Sequence, residues 1–139
     1  MAVQELSAPE SKLARRVGYG LTIVVVLFLL MDAAMKLLAP APVAQAMTQL
    51  GWPASALMAR GLGALLLVCA LLYIWPRTSV LGAILLTGYL GGAVAAHVRL
   101  GNPVFTHELF GVYLGLFVWG GLYLRDAHLR SLFPVRRYL

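Results

Sequence analysis

The sequence predicts an all-α integral membrane protein: an up-down-up-down four-helix bundle with both termini cytoplasmic. Three observations predict it. First, of the 139 residues 61% are hydrophobic and only 12% are charged, against about 45–50% apolar and about 25% charged in soluble domains. A single domain of this size still exposes much of its surface, so it cannot hide that many apolar side chains from water. Second, four apolar stretches approach the roughly 20 helical residues that cross a bilayer. Third, the basic residues gather on one side of those stretches. A soluble enzyme, a disordered tail and a disulfide-stapled secreted domain are excluded. The one cysteine, Cys69, allows no intrachain disulfide, CxxC pair or thiolate zinc cluster.

Taken in order, residues 1–16 form a flexible cytoplasmic lead. The transmembrane domain covers 17–124, with spans at about 17–38, 53–75, 79–98 and 104–124. Residues 125–139 form a basic cytoplasmic tail. The spans are separated by Ala39-Pro40-Ala41-Pro42, Gly51-Trp52-Pro53, Trp75-Pro76-Arg77 and Gly101-Asn102-Pro103. Proline is a strong helix boundary, and Pro53 suits a first helical turn. The run from Lys12 to Arg16 has the charge of a signal-peptide lead, and Ala44-Gln45-Ala46 has the look of a cleavage site. Asp32 and Lys36 interrupt the approach, and the apolar core is too long, so the first helix is read as retained.

Orientation follows from lysine and arginine. Lys12, Arg15, Arg16, Arg77, Arg125, Arg130, Arg136 and Arg137 lie on one side, 8 of the 11 basic residues. The opposite loops, 39–53 and 99–107, hold only Arg99. The net charge of +6 is thus topogenic and directed at lipid headgroups. It is not a nucleic-acid surface, which needs aromatic side chains interleaved with the basic ones. Gly88, Gly91, Gly92, Gly111 and Gly115 allow close helix approach, within one bundle or in a homodimer. Trp52, Tyr73, Trp75, Trp119 and Tyr123 suit an aromatic belt.

Polar residues inside the spans carry the functional signal. Asp32 and Lys36 share one face of the first helix in the favourable order. Arg60 lies in the second. His97 and Arg99 end the third, and His107 and Glu108 begin the fourth. By the topology above, Asp32 and Arg60 each lie about seven residues from the outer boundary, roughly 10 Å deep. All four helices place ionisable groups in the outer half, and the inner half has almost none. Charges at such depth face a partner or a wet cavity. The expectation is an outward-opening pocket that holds an amphipathic molecule by its polar head. A structural network is the plainer alternative, with Asp32 on Lys36 or Arg60 and Glu108 on Arg99 or His107. Asp32, Glu108, His97 and His107 also suit acid–base chemistry. A metal set of His97, His107 and Glu108 matches no standard spacing, and Met31, Met35, Met47 and Met58 are better gap fillers than Cu(I) ligands. Redox chemistry would need a bound quinone, haem or partner protein, since there is no second thiol. A through-pore is disfavoured because the inner half lacks polar lining.

The run Met31-Asp32-Ala33-Ala34-Met35-Lys36-Leu37-Leu38 resembles the end of the first helix in DoxX-like membrane proteins. Leu50-Gly51-Trp52-Pro53, the stretch from Trp75 through His97 to Arg99, and the stretch from Trp119 to Asp126 resemble that family too. The resemblance implies a four-helix protein of the bacterial inner membrane. The wider family includes the small membrane subunit of a thiosulfate–quinone oxidoreductase, which is the source of the quinone expectation. Asp32, Lys36, His97 and Arg99 match the family pattern as motif positions, without an assigned catalytic role. The reading is therefore a bilayer protein binding a small amphipathic or quinone-like molecule through Asp32, Lys36, Arg60, His97, Arg99, His107 and Glu108. It would be a membrane component of a redox system, with a redox protein or a second copy as partner. The alternatives are a membrane enzyme acting on a lipid-soluble substrate and a ligand-free structural or chaperone-like partner.

Overall fold

The computed structural model describes residues 11–101 and 109–132. The elements are α1 (Lys12–Leu38), α2 (Ala41–Gln49), α3 (Ala56–Ile74), α4 (Ser79–Arg99), α5 (Phe110–Arg125) and α6 (Ala127–Leu132). No strand occurs among the described residues. Three helices, α1, α3 and α4, are long and apolar enough to cross a membrane. The described part of the fourth predicted span is α5, 16 residues and apolar; residues 104–108 of that span lie outside the described residues.

The boundaries have local causes. Ser11 caps α1, its hydroxyl accepting from the Ala14 amide at 3.4 Å, which satisfies one of the first-turn donors. The helix therefore begins at Lys12, earlier than the apolar run alone indicates. At its far end Ala39 takes a left-handed conformation (φ 47°) and donates to the Met35 carbonyl, after which Pro40 cannot continue the helix. The expected 39–53 loop contains a helix of its own. Pro42 opens α2, where a missing amide hydrogen costs nothing, and Met47 anchors it, 6% exposed, beside α3. The second span begins at Ala56, three residues beyond Pro53, because Ser55 supplies the cap, accepting from the Met58 amide at 3.4 Å. Beyond α5, Asp126 caps α6 with Oδ1, accepting from the amides of His128 (2.9 Å) and Leu129 (3.2 Å).

The four long helices form a ring. α1 packs on α3 and α5, and α4 packs on the same two, so α1 lies diagonally from α4 and α3 from α5. α2 rests on α3 and α6 on α5. Contacts pair the start of each helix with the end of its neighbour, so adjacent helices run antiparallel. Two glycines set the closest approaches. A Cβ on Gly82 would fall 2.3 Å from the Tyr73 amide nitrogen, so the α3–α4 hairpin closes only without a side chain there. A Cβ on Gly18 would fall 2.8 Å from the Leu124 Cβ and 2.9 Å from the Arg125 nitrogen, where α1 crosses α5. The α3–α4 turn is also held by the Thr78 hydroxyl, which donates to the Leu72 carbonyl at 2.8 Å.

The centre of the ring holds Val25, Leu29, Ala33, Leu66, Cys69, Ala70, Leu86, Val118 and Leu122, all nearly inaccessible. Tyr73 also belongs to this core, at 0% exposure, and not to an aromatic belt as its position near a helix end suggested. The outward faces are no less apolar. Leu27, Met31, Leu57, Leu65, Val68, Ile84 and Leu116 are all more than half exposed. Water would drive such a surface to associate; hydrocarbon does not. Sequence and surface together make this an integral membrane protein.

Candidate functional site

The Asp32 carboxylate accepts a hydrogen bond from the Lys36 ammonium, one helical turn further along α1. Both side chains are partly covered, Lys36 at 25% exposure and Asp32 at 33%. The spacing is the i, i+4 arrangement that brings side chains together on one helix face. The pair is contained within α1, so it ties no two helices together.

Asp32 lines a cavity of about 200 Å³ between α1, α4 and α5. Each helix contributes a stripe at four-residue spacing: Phe28 and Asp32 from α1, Tyr89, Ala93 and His97 from α4, Phe110 and Leu114 from α5. Three proton-carrying groups, Asp32, Tyr89 and His97, thus share an otherwise apolar space. Phe28 and Phe110 meet edge to face across one side of it, with centroids 5.2 Å apart and rings inclined by 71°, a favoured geometry for aromatic pairs.

A second, apolar groove of about 340 Å³ runs between α4 and α5. It shares Leu90, Val94 and Gly111 with the Asp32 cavity, so the two spaces meet at a common wall. Gly91, Gly115, Leu116 and Trp119 continue its lining. Its polar feature is a short relay, Trp119 Nε1 donating to the Thr87 hydroxyl (2.8 Å), which donates to the Ala83 carbonyl (2.7 Å).

Of the residues singled out from sequence, the structure pairs Lys36 with Asp32 and sets Asp32 and His97 on one cavity. Arg60 is exposed on α3 and is not among the cavity-lining residues. Arg99 lines a separate space of about 410 Å³ with Gly51, Trp52, Gly92, Ala95 and Ala96, and donates to the Leu50 carbonyl at 2.9 Å. That bond pins the end of α4 to the turn after α2, so Arg99 acts on the backbone. His107 and Glu108 lie outside the described residues. Sequence reasoning missed Tyr89, which brings a phenol to the cavity. Its signal was its place eight residues before His97, two helical turns up the same face.

Long apolar helices whose outward faces are also apolar define a helical membrane protein. The chain belongs to the DoxX-like family, whose model matches residues 20–121. The match takes in most of α1, all of α2, α3 and α4, and most of α5. No curated protein matches the chain. No solved structure matches it either.

Proposed function

We propose that the protein binds a small amphipathic molecule, quinone-like in joining a hydrogen-bonding head to an apolar body. The observation that carries this reading is the common wall between the Asp32–Tyr89–His97 cavity and the apolar groove beside it. At about 200 Å³ the cavity suits a head alone, since whole small-molecule sites run from about 300 to 1,000 Å³. The groove adds about 340 Å³ for the body. Asp32, held by Lys36, accepts a hydrogen bond from a hydroxyl on the head, as a quinol offers and a quinone does not; Tyr89 and His97 face the same space. With a single cysteine and no dithiol of its own, the protein would join a redox system through such a molecule.

In this reading the four long helices span the bacterial inner membrane with both termini cytoplasmic. The support is the side on which 8 of the 11 basic residues fall. Asp32 and His97 then lie toward the outer face. A network that merely locks helices together remains the plainer alternative: Arg99 does pin α4 to the turn after α2, whereas the Asp32–Lys36 pair lies within one helix. An enzyme is the second reading, favoured by the gathering of Asp32, Tyr89 and His97 on one cavity.

The test is native mass spectrometry of the detergent-purified protein beside Asp32→Asn, with released small molecules identified. A discrete molecule lost in the variant supports the binding site. Turnover that stops in Asp32→Asn while the molecule still binds supports the enzyme.

A further inference from the structure

The basic end of the bundle carries another space, remote from Asp32. It measures about 560 Å³, and Arg15, Tyr19, Ser79, Arg125, Asp126 and His128 are among its lining residues. It is formed where the start of α1, the α3–α4 turn and the α5–α6 junction converge. We propose that this space is a binding site for a phosphate group, held between Arg15 and Arg125 with His128 at its edge.

Four observations carry the proposal. The Arg125 guanidinium is held in place: Nη2 donates to the Tyr73 carbonyl at 3.3 Å, and its carbon lies 5.2 Å from the centre of the Tyr73 ring. Yet among the described residues Arg125 Nε is buried with no hydrogen-bond partner, and a buried donor in that state calls for a water, an ion or a ligand. Arg15 stands over the Tyr19 ring at 5.9 Å on the adjoining wall, so the two guanidinium groups approach the space from α1 and from α5. Asp126, the one carboxylate among the described lining residues, turns Oδ1 to the His128 and Leu129 amides as the cap of α6. Two guanidinium groups against one carboxylate leave the described lining net cationic, and guanidinium groups match phosphate oxygens in geometry as well as in charge.

A phosphate could come from an anionic lipid headgroup of the adjoining leaflet or from free phosphate in the aqueous phase. The full-length protein in detergent would be titrated with phosphatidylglycerol and, separately, with phosphatidylcholine, and bound lipid counted by native mass spectrometry. Phosphatidylglycerol is expected to be held in preference, with one molecule surviving gentle activation. The phosphatidylglycerol titration is then repeated in inorganic phosphate. Displacement identifies a site that takes free phosphate; no displacement identifies the lipid headgroup. Arg15→Gln, at an exposed side chain, is expected to weaken phosphatidylglycerol retention roughly fivefold, the value of one basic residue near an anionic headgroup. Because Arg125 also packs on Tyr73, Arg125→Lys is the second variant, keeping the charge but losing the planar fork. Equal retention of the two lipids, or retention unchanged in both variants, would overturn the proposal.

Discussion

The Tyr73 hydroxyl donates to the Val118 carbonyl oxygen at 2.7 Å, joining α3 to α5, two helices that face each other diagonally across the ring. The Thr22 hydroxyl lies 3.5 Å from the same phenol oxygen. One end of the bundle is therefore filled at its centre by a fully buried tyrosine. Toward the other end a space opens between α1, α4 and α5, lined by Asp32, Tyr89 and His97.

Tyr73→Phe keeps the ring and removes only the hydroxyl. It is expected to lower stability by about 1 kcal/mol, the usual net value of one hydrogen bond, while leaving binding at the Asp32 cavity unchanged. Tyr73→Ala should cost about 3–5 kcal/mol because it opens a cavity in the core. Thermal unfolding in detergent, monitored by the far-ultraviolet circular dichroism of the helices, checks both.

Gly82 and Gly88 lie on the same helix in opposite circumstances. An added Cβ at Gly82 collides with the Tyr73 backbone, whereas at Gly88 it meets nothing within 4 Å. Gly82→Ala should therefore destabilise by about 3 kcal/mol, the upper end of ordinary overpacking, because backbone cannot move aside as a side chain does. Gly88→Ala should stay within about 0.5 kcal/mol of wild type. Thermal midpoints of the two variants side by side make the comparison.

The Asp32–Lys36 pair gives a non-additive result. Lys36→Met leaves the Asp32 carboxylate beside apolar walls without its counter-charge. The loss should be about 1–3 kcal/mol, below the roughly 3–5 kcal/mol of a fully buried pair, because both groups remain partly exposed. Adding Asp32→Asn to that variant should restore stability but not binding. A double-mutant cycle of thermal stability and ligand retention measures both terms.

Gly115 lines the apolar groove, and an added Cβ there meets nothing within 4 Å. Gly115→Leu should fill the groove without disturbing the fold. Retention of amphipathic molecules with long apolar bodies should fall, and retention of short ones should hold. A chain-length series of one headgroup, counted by native mass spectrometry, tests this.

Much of the bundle was legible in sequence because a membrane span depends on length and mean polarity, which single residues barely alter. The ends of α1, α3 and α4 fell within a few residues of expectation for the same reason. The short helices α2 and α6 were not legible as such. Pro40 and Pro42 read as loop punctuation, although Pro42 opens a helix whose Val43 and Met47 lie one turn apart on a common side. Asp126 read as part of a charged tail, although it is the cap of α6. At the candidate site, Asp32, Lys36 and His97 stood out because charge and imidazole are rare within apolar helices. Tyr89 did not, because a tyrosine among apolar residues passes for core until packing sets it beside Asp32 and His97. Arg60 illustrates the converse: depth along the chain does not determine which face of a helix a residue occupies.

The most direct test separates an occupied cavity from a merely structural ion pair. Ala93 lines the Asp32 cavity but takes no part in the Asp32–Lys36 bond. Ala93→Trp should fill the space and leave the pair intact. The measurement is native mass spectrometry of wild type, Asp32→Asn and Ala93→Trp, with the released molecules identified. The account predicts one discrete amphipathic molecule on the wild type, absent from both variants, with Ala93→Trp as thermally stable as ligand-free wild type. The same bound masses in all three proteins, or bulk phospholipid alone throughout, would contradict it.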